Sequence, residues 1–134
     1  MEGVRTLLEI RPCLDKPVVA AYCKKCGKIP TEAFYVYLAA NRGETLAAGL
    51  FEITSTQVCA LLYESGEEDA FLFDGVLRAG LNYAAEYGIP NGFIPEEFRL
   101  LHRDKFQNLS YPIQQKFNIS NFFAKYKSCA NADG

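Results

Sequence analysis

The stretch at residues 69–88, DAFLFDGVLRAGLNYAAEYG, constrains the fold more than any other part of the chain. Its residues Phe73, Val76, Leu77, Gly80, Ala84 and Tyr87 recur at helical intervals and form one broad apolar stripe. Asp74 and Arg78 stand four apart, acid before base, on a more polar side. Gly88 is placed to close the helix in a left-handed residue, and Pro90 prevents its continuation. A helix with such a stripe must cover something, and the residues before it read as a sheet.

Val4, Thr6, Leu8 and Ile10 alternate with Arg5, Leu7, Glu9 and Arg11, the period of a strand with one wetter face, which Pro12 is expected to end. Asp15 predicts the N-cap of a helix over 16–26, with Pro17 in its first turn, Gly27 past its end, and Val18, Val19, Tyr22 and Cys26 facing inward. Residues 34–39 are aromatic and branched, as suits a strand. The turn at 41–44 offers Asn41 and Gly43 for positive φ, and 45–53 returns as a strand apolar on both faces except at Glu52. A second turn at 54–56 leads into a third strand over 57–63, completing an antiparallel meander. Beyond the long helix, the pattern predicts a short strand over 91–94 and a helix over 96–106 with Phe98, Leu101 and the stem of Lys105 facing in. A strand over 113–119 and a helix from a Ser120 cap to Tyr126 follow. The expected architecture is α/β (α+β) with a mixed sheet, one domain over 1–130 and a frayed end at 131–134.

A chain of 134 residues, 49% hydrophobic and 22% charged, is long enough for one domain with its own core. The net charge of −2 and the lack of a basic run argue against a nucleic-acid partner. No apolar run is long enough to cross a bilayer, and the first residues lack a signal-like apolar block, so a cytoplasmic protein without a membrane partner is expected. Five cysteines suit reduced thiols there. Cys23 and Cys26 form a C-x-x-C; it reads as thiols in or beside a core, with metal binding through Cys23, Cys26 and Cys129 as the alternative.

The hairpin FYVYLAANRGETLAAGLFEI, the strand VCALLYE and the helix DGVLRAGLNYAAEYGI resemble the GNAT superfamily of acyl-CoA-dependent N-acyltransferases. A small divergent group of such domains is resembled more closely. Its D-G-x-L-R-A-x-L-N-Y-A helix is matched by Asp74, Gly75, Leu77, Arg78, Ala79, Leu81, Asn82, Tyr83 and Ala84, and its F-F-x-x-x-K-x-C ending by Phe122, Phe123, Lys127 and Cys129. The resemblance implies a mostly antiparallel sheet with helices on both faces and an acyl-CoA donor, acetyl-CoA or another. It further implies transfer to a small amine or peptide.

By family position the donor would lie against Leu61, Leu62 and Tyr63 on the third meander strand and Phe71, Phe73, Asp74 and Gly75 at the helix start. The family's phosphate loop, R/Q-x-x-G-x-G/A, is degenerate here: Glu68 takes the first position and Phe71 and Phe73 the glycine positions. Glycine lets a backbone approach phosphate closely, and Glu67, Glu68 and Asp69 would repel an anion. A general base in this family is often a strand Glu, for which Glu52 and Glu64 are candidates, Glu52 otherwise reading as a strand-end residue facing water. His102 and Tyr111 are the candidates for proton transfer near the later helix, where Leu101 stands in the family's Tyr position and Lys105 in its Gly position. Two functions follow: an N-acyltransferase with an altered donor loop, or a non-catalytic domain on the same scaffold that binds a ligand or protein partner through its eight Tyr and ten Phe. Assembly with further copies of the chain stays open.

Overall fold

Three consecutive strands and a covering helix form the centre of the molecule, as the apolar patterning requires. The computed structural model describes residues 8–66 and 69–125. In chain order these give β1 (Leu8–Cys13), α1 (Lys16–Lys25), β2 (Phe34–Asn41), β3 (Glu44–Thr54), β4 (Gln57–Ser65), α2 (Ala70–Glu86), β5 (Asn91–Phe93), α3 (Glu96–Leu101), α4 (Arg103–Phe106) and β6 (Phe117–Asn118). Residues 119–125 form a last helix, α5. Among the described residues the strands make one sheet in sequence order, antiparallel except where the α2 crossover brings β5 parallel to β4. The fold is mixed α/β with a mostly antiparallel sheet.

Side chains alternate between two cores. Val36, Ala48 and Leu50 face α1, where they meet Val19, Cys23 and Phe34. Tyr35, Tyr37, Phe51, Val58, Ala60 and Tyr63 face α2, whose Leu72, Phe73, Val76, Leu77, Leu81 and Ala84 complete the larger core. β3 is thus covered on both sides, which explains its near-continuous apolar run. Asp69 caps α2, its side chain accepting from the Phe71 and Leu72 amides at 2.9 and 3.3 Å. Gly88, at φ 90°, follows the helix end.

Several local expectations are corrected. Pro12 does not end β1, which continues to Cys13; β1 is the sheet's edge strand, where a residue without an N–H is tolerated. The β2–β3 turn takes its positive φ at Arg42 and Gly43, not at Asn41, giving two left-handed central residues between twisted strands. Tyr87 is 71% exposed, because α2 stops at Glu86 and the Tyr87 backbone has left the helical path. The helix expected over 96–106 is broken at His102 (φ −123°, ψ 35°), which turns Phe98 and Phe106 inward and leaves Leu101 75% exposed. Only Phe117–Asn118 of the strand expected over 113–119 pairs, since Gln114 adopts φ 60° and its side-chain oxygen accepts from the Glu96 amide. The last helix is capped by Asn118, whose side chain accepts from Asn121 N at 2.8 Å, and not by Ser120. The start of the first strand before Leu8, Glu67, Glu68, Tyr126, Lys127, Cys129 and the end at 131–134 lie outside the described residues.

Candidate functional site

The parallel pairing of β4 with β5 is short. Gln57, Val58 and Cys59 face Asn91, Gly92 and Phe93, and the two strands then part. Two local features cause this. On β4, Leu50 is opposite Leu62 and Phe51 opposite Ala60, so Leu61 is the extra residue of a bulge, which bends and twists the strand. After β5 the chain passes through buried Ile94 to Pro95, which has no N–H for a ladder and is the N-cap of α3. The β5-side edge of β4 from Ala60 to Ser65 is therefore left without a strand neighbour among the described residues.

Over the start of β3 at 45–48 and the end of β4 lies a cavity of about 490 Å³, in the size range of small-molecule sites. Tyr63 and His102 line it on the α2 side, Tyr22 and Glu64 on the α1 side, with Ser65, Gly66 and Lys105 at the end nearest the turn into α2. The Tyr63 and His102 rings are backed by wholly buried Phe73, whose ring centroid lies 4.8 Å from Tyr63, 5.1 Å from Phe106 and 5.5 Å from His102. The His102 ring is also 5.5 Å from Tyr63 and 4.9 Å from Phe98. Burial among these rings, aided by the Lys105 charge, holds its pKa below the usual imidazole value. The imidazole is accordingly neutral at pH 7, with a nitrogen lone pair able to accept a proton.

Of the four candidates for proton transfer, Glu64 and His102 are brought together on this cavity. Glu64 accepts from the Lys25 ammonium with both carboxylate oxygens, at 2.7 and 2.8 Å. Glu52 lies elsewhere, opposite Cys59 on the paired part of the sheet, with Lys28 at 3.9 Å. Tyr111 is buried and donates its hydroxyl to Asp74 at 2.8 Å. Asp74 in turn lies 3.8 Å from Arg78, whose guanidinium sits over the Phe123 ring. These residues tie α2 to the C-terminal segment and do not line the cavity.

The donor positions separate in the same way. Leu61, Leu62 and Tyr63 follow the paired part of β4 along the divergent edge. Phe73 backs the Tyr63 and His102 rings, Phe71 is 91% exposed, and Gly75 faces β1, where an added Cβ would lie 3.0 Å from Ile10 Cδ1. Neither phenylalanine fills the space before α2. The amides of Phe71 and Leu72 are nevertheless engaged by Asp69, so the first turn of α2 presents a carboxylate where a phosphate would need donors. Sequence reasoning missed Tyr22 as a lining residue, reading it only as an inward-facing position of α1.

The cysteines of α1 divide between a buried Cys23 and a half-buried Cys26. Burial pushes both thiols up in pKa, and pushes Cys59 up to about 11. No cluster of three or more His, Cys, Asp or Glu suited to a metal occurs among the described residues, and Cys129 lies outside them. Among the described residues no helix is long and apolar enough to cross a membrane.

No protein-family model matches the chain, and no curated protein matches it in sequence. Solved structures do match in fold. The ribosomal-protein-S18-alanine N-acetyltransferase from Escherichia coli superposes with a TM-score of 0.58 at 10% identity, covering 78% of this chain and 77% of its own. IAA acetyltransferase from Bacillus cereus gives 0.52 at 12% identity, covering 77% and 74%. The chain has a GNAT-like fold. YhhK from E. coli, solved with coenzyme A bound, gives 0.53 at 14% identity and covers 83% of this chain and 94% of its own. At these identities the likeness is one of fold. The capped start of α2 is a feature of this chain's own residues.

Proposed function

We propose that this GNAT-like domain is an N-acyltransferase whose acyl-thioester donor lies along the β5-side edge of β4, with its acyl end against the Tyr63 and His102 rings. The observation that carries the reading is the parting of β4 from β5 after Cys59, which leaves that edge of β4 without a strand neighbour among the described residues, beside a cavity lined by His102. Backbone N–H and C=O groups on such an edge suit the amides of a pantetheine arm. The donor would supply an acyl group activated as a thioester, for transfer to an amine. Neutral His102 accepts a proton from the acceptor's ammonium, directly or through one water, and Tyr63 and Phe73 exclude bulk water from that side. Asp69 on the α2 amides weakens the grip on a pyrophosphate, so the arm carries most of the donor's affinity. The acceptor is a small amine or the amine of a peptide.

Incubating the protein with acetyl-CoA and a panel of aliphatic amines, and measuring released thiol, tests this reading. Amine-dependent release is expected, reduced about 10²- to 10⁴-fold in His102→Ala. No amine-dependent release above background would overturn it. The same capping of α2 by Asp69 favours the second reading, a non-catalytic ligand-binding domain, and that reading would then stand.

A further inference from the structure

The α1-side wall of the cavity holds a second arrangement that proton transfer at His102 does not use. Lys25, in the last turn of α1, reaches across to β4 and gives its ammonium to both oxygens of Glu64. The same ammonium lies 5.1 Å from the centroid of the Tyr22 ring. A carboxylate and an aromatic face converging on one primary ammonium are the two features that recognise such a group in any molecule. Tyr22 and Glu64 both line the cavity, so the position is open to what the cavity contains. The Lys25 and Glu64 side chains are 49% and 41% exposed, and ion pairs this wet hold poorly against competitors.

We propose that Glu64 and Tyr22 form a recognition site for the ammonium of the acyl acceptor, a primary amine on a flexible aliphatic chain, and that Lys25 occupies this site until the acceptor displaces it. Assigning that amine the role of acceptor rests on the acyltransferase reading; the ammonium site itself does not. Lys25 comes from α1, and His102 lines the same cavity from the α3–α4 junction, so an acceptor held first at Glu64 gives up that contact before His102 takes its proton. Lys25 acts as an internal competitor, and its removal raises apparent affinity by the fraction of time the site was filled. Both side chains to be changed are half-exposed, so the fold survives their substitution.

The test is an NMR titration of the full chain with n-butylamine at pH 7, without acyl donor. Saturable shifts are expected at Tyr22 and Glu64, with affinity raised about fivefold in Lys25→Met, the gain for a site filled four-fifths of the time. Glu64→Gln should lose the binding, and uncharged n-butanol should not reproduce it. Equal affinity in Lys25→Met and wild type, unchanged binding in Glu64→Gln, or equal binding of n-butanol would overturn the site. Butylamine binding as expected without thiol release from acetyl-CoA would uphold the ammonium site and remove only its role in transfer. Amine-dependent release unaffected by Glu64→Gln would do the reverse.

Discussion

At the scale of single residues, His102 shows how the site differs from what its local sequence suggests. In LLHRDKF a lone histidine reads as a helical surface residue, yet its ring meets Phe98 one turn back in α3 and Tyr63 and Phe73 from two distant places in the chain. No local pattern announces that enclosure, because it depends on α2 and α3 meeting over β4. Its energetic consequence has a definite sign. The folded pKa is lowered, first by burial and then by Lys105, so the unfolded chain binds the proton more readily. The contribution of His102 to stability is full above the unfolded value of about 6.5 and is lost as pH falls through the lower folded value. Denaturant unfolding from pH 7.5 downward should show wild type losing stability relative to His102→Gln once pH drops below about 6.5. Parallel pH profiles of the two proteins would show that the imidazole is not enclosed as described.

Elements were legible where their determinants are local. The stripe of α2, the meander of β2, β3 and β4, and the stops at Gly27 and Gly88 rest on spacing and turn chemistry, and all appear near their expected positions. The break at His102 and the bulge at Leu61 were not legible, since neither position carries a glycine, a proline or a change in apolar spacing. Gly80 illustrates the interplay. In a helix interior, Gly→Ala normally gains up to about 1 kcal/mol. Here an added Cβ would lie 2.1 Å from Phe51 Cζ. Phe51 is 2% exposed, its ring stacked on Tyr35 at 5.4 Å, and the Tyr35 hydroxyl donates to Gly80 O at 2.6 Å. The ring has no free space to yield, so overpacking wins and Gly80→Ala should lower unfolding free energy by about 1–3 kcal/mol. Chemical denaturation measures this directly, and a stabilised variant would mean that α2 does not press on β3 this closely.

For the whole molecule, the scaffold and the site answer to different parts of the sequence. The GNAT-like fold follows from the meander and the long covering helix, and the likeness to solved acetyltransferases is of that kind. The cavity lies over the start of β3 and the end of β4, on the stretch of β4 that, after a bulge, has no strand neighbour on its other edge among the described residues. The residues once expected to obstruct a donor turn out differently placed: Phe73 is buried behind Tyr63 and His102, Phe71 points to solvent, and Asp69 accepts from the Phe71 and Leu72 amides. A donor should therefore be held by its arm at the β4 edge and gain little from its nucleotide. Titrating labelled protein with S-acetyl-pantetheine and with acetyl-CoA measures this most directly. The account predicts that both shift residues 60–66 and His102 saturably, with affinities within about tenfold of each other, a difference below about 1.4 kcal/mol. Absence of saturable shifts along that edge with either compound would contradict it.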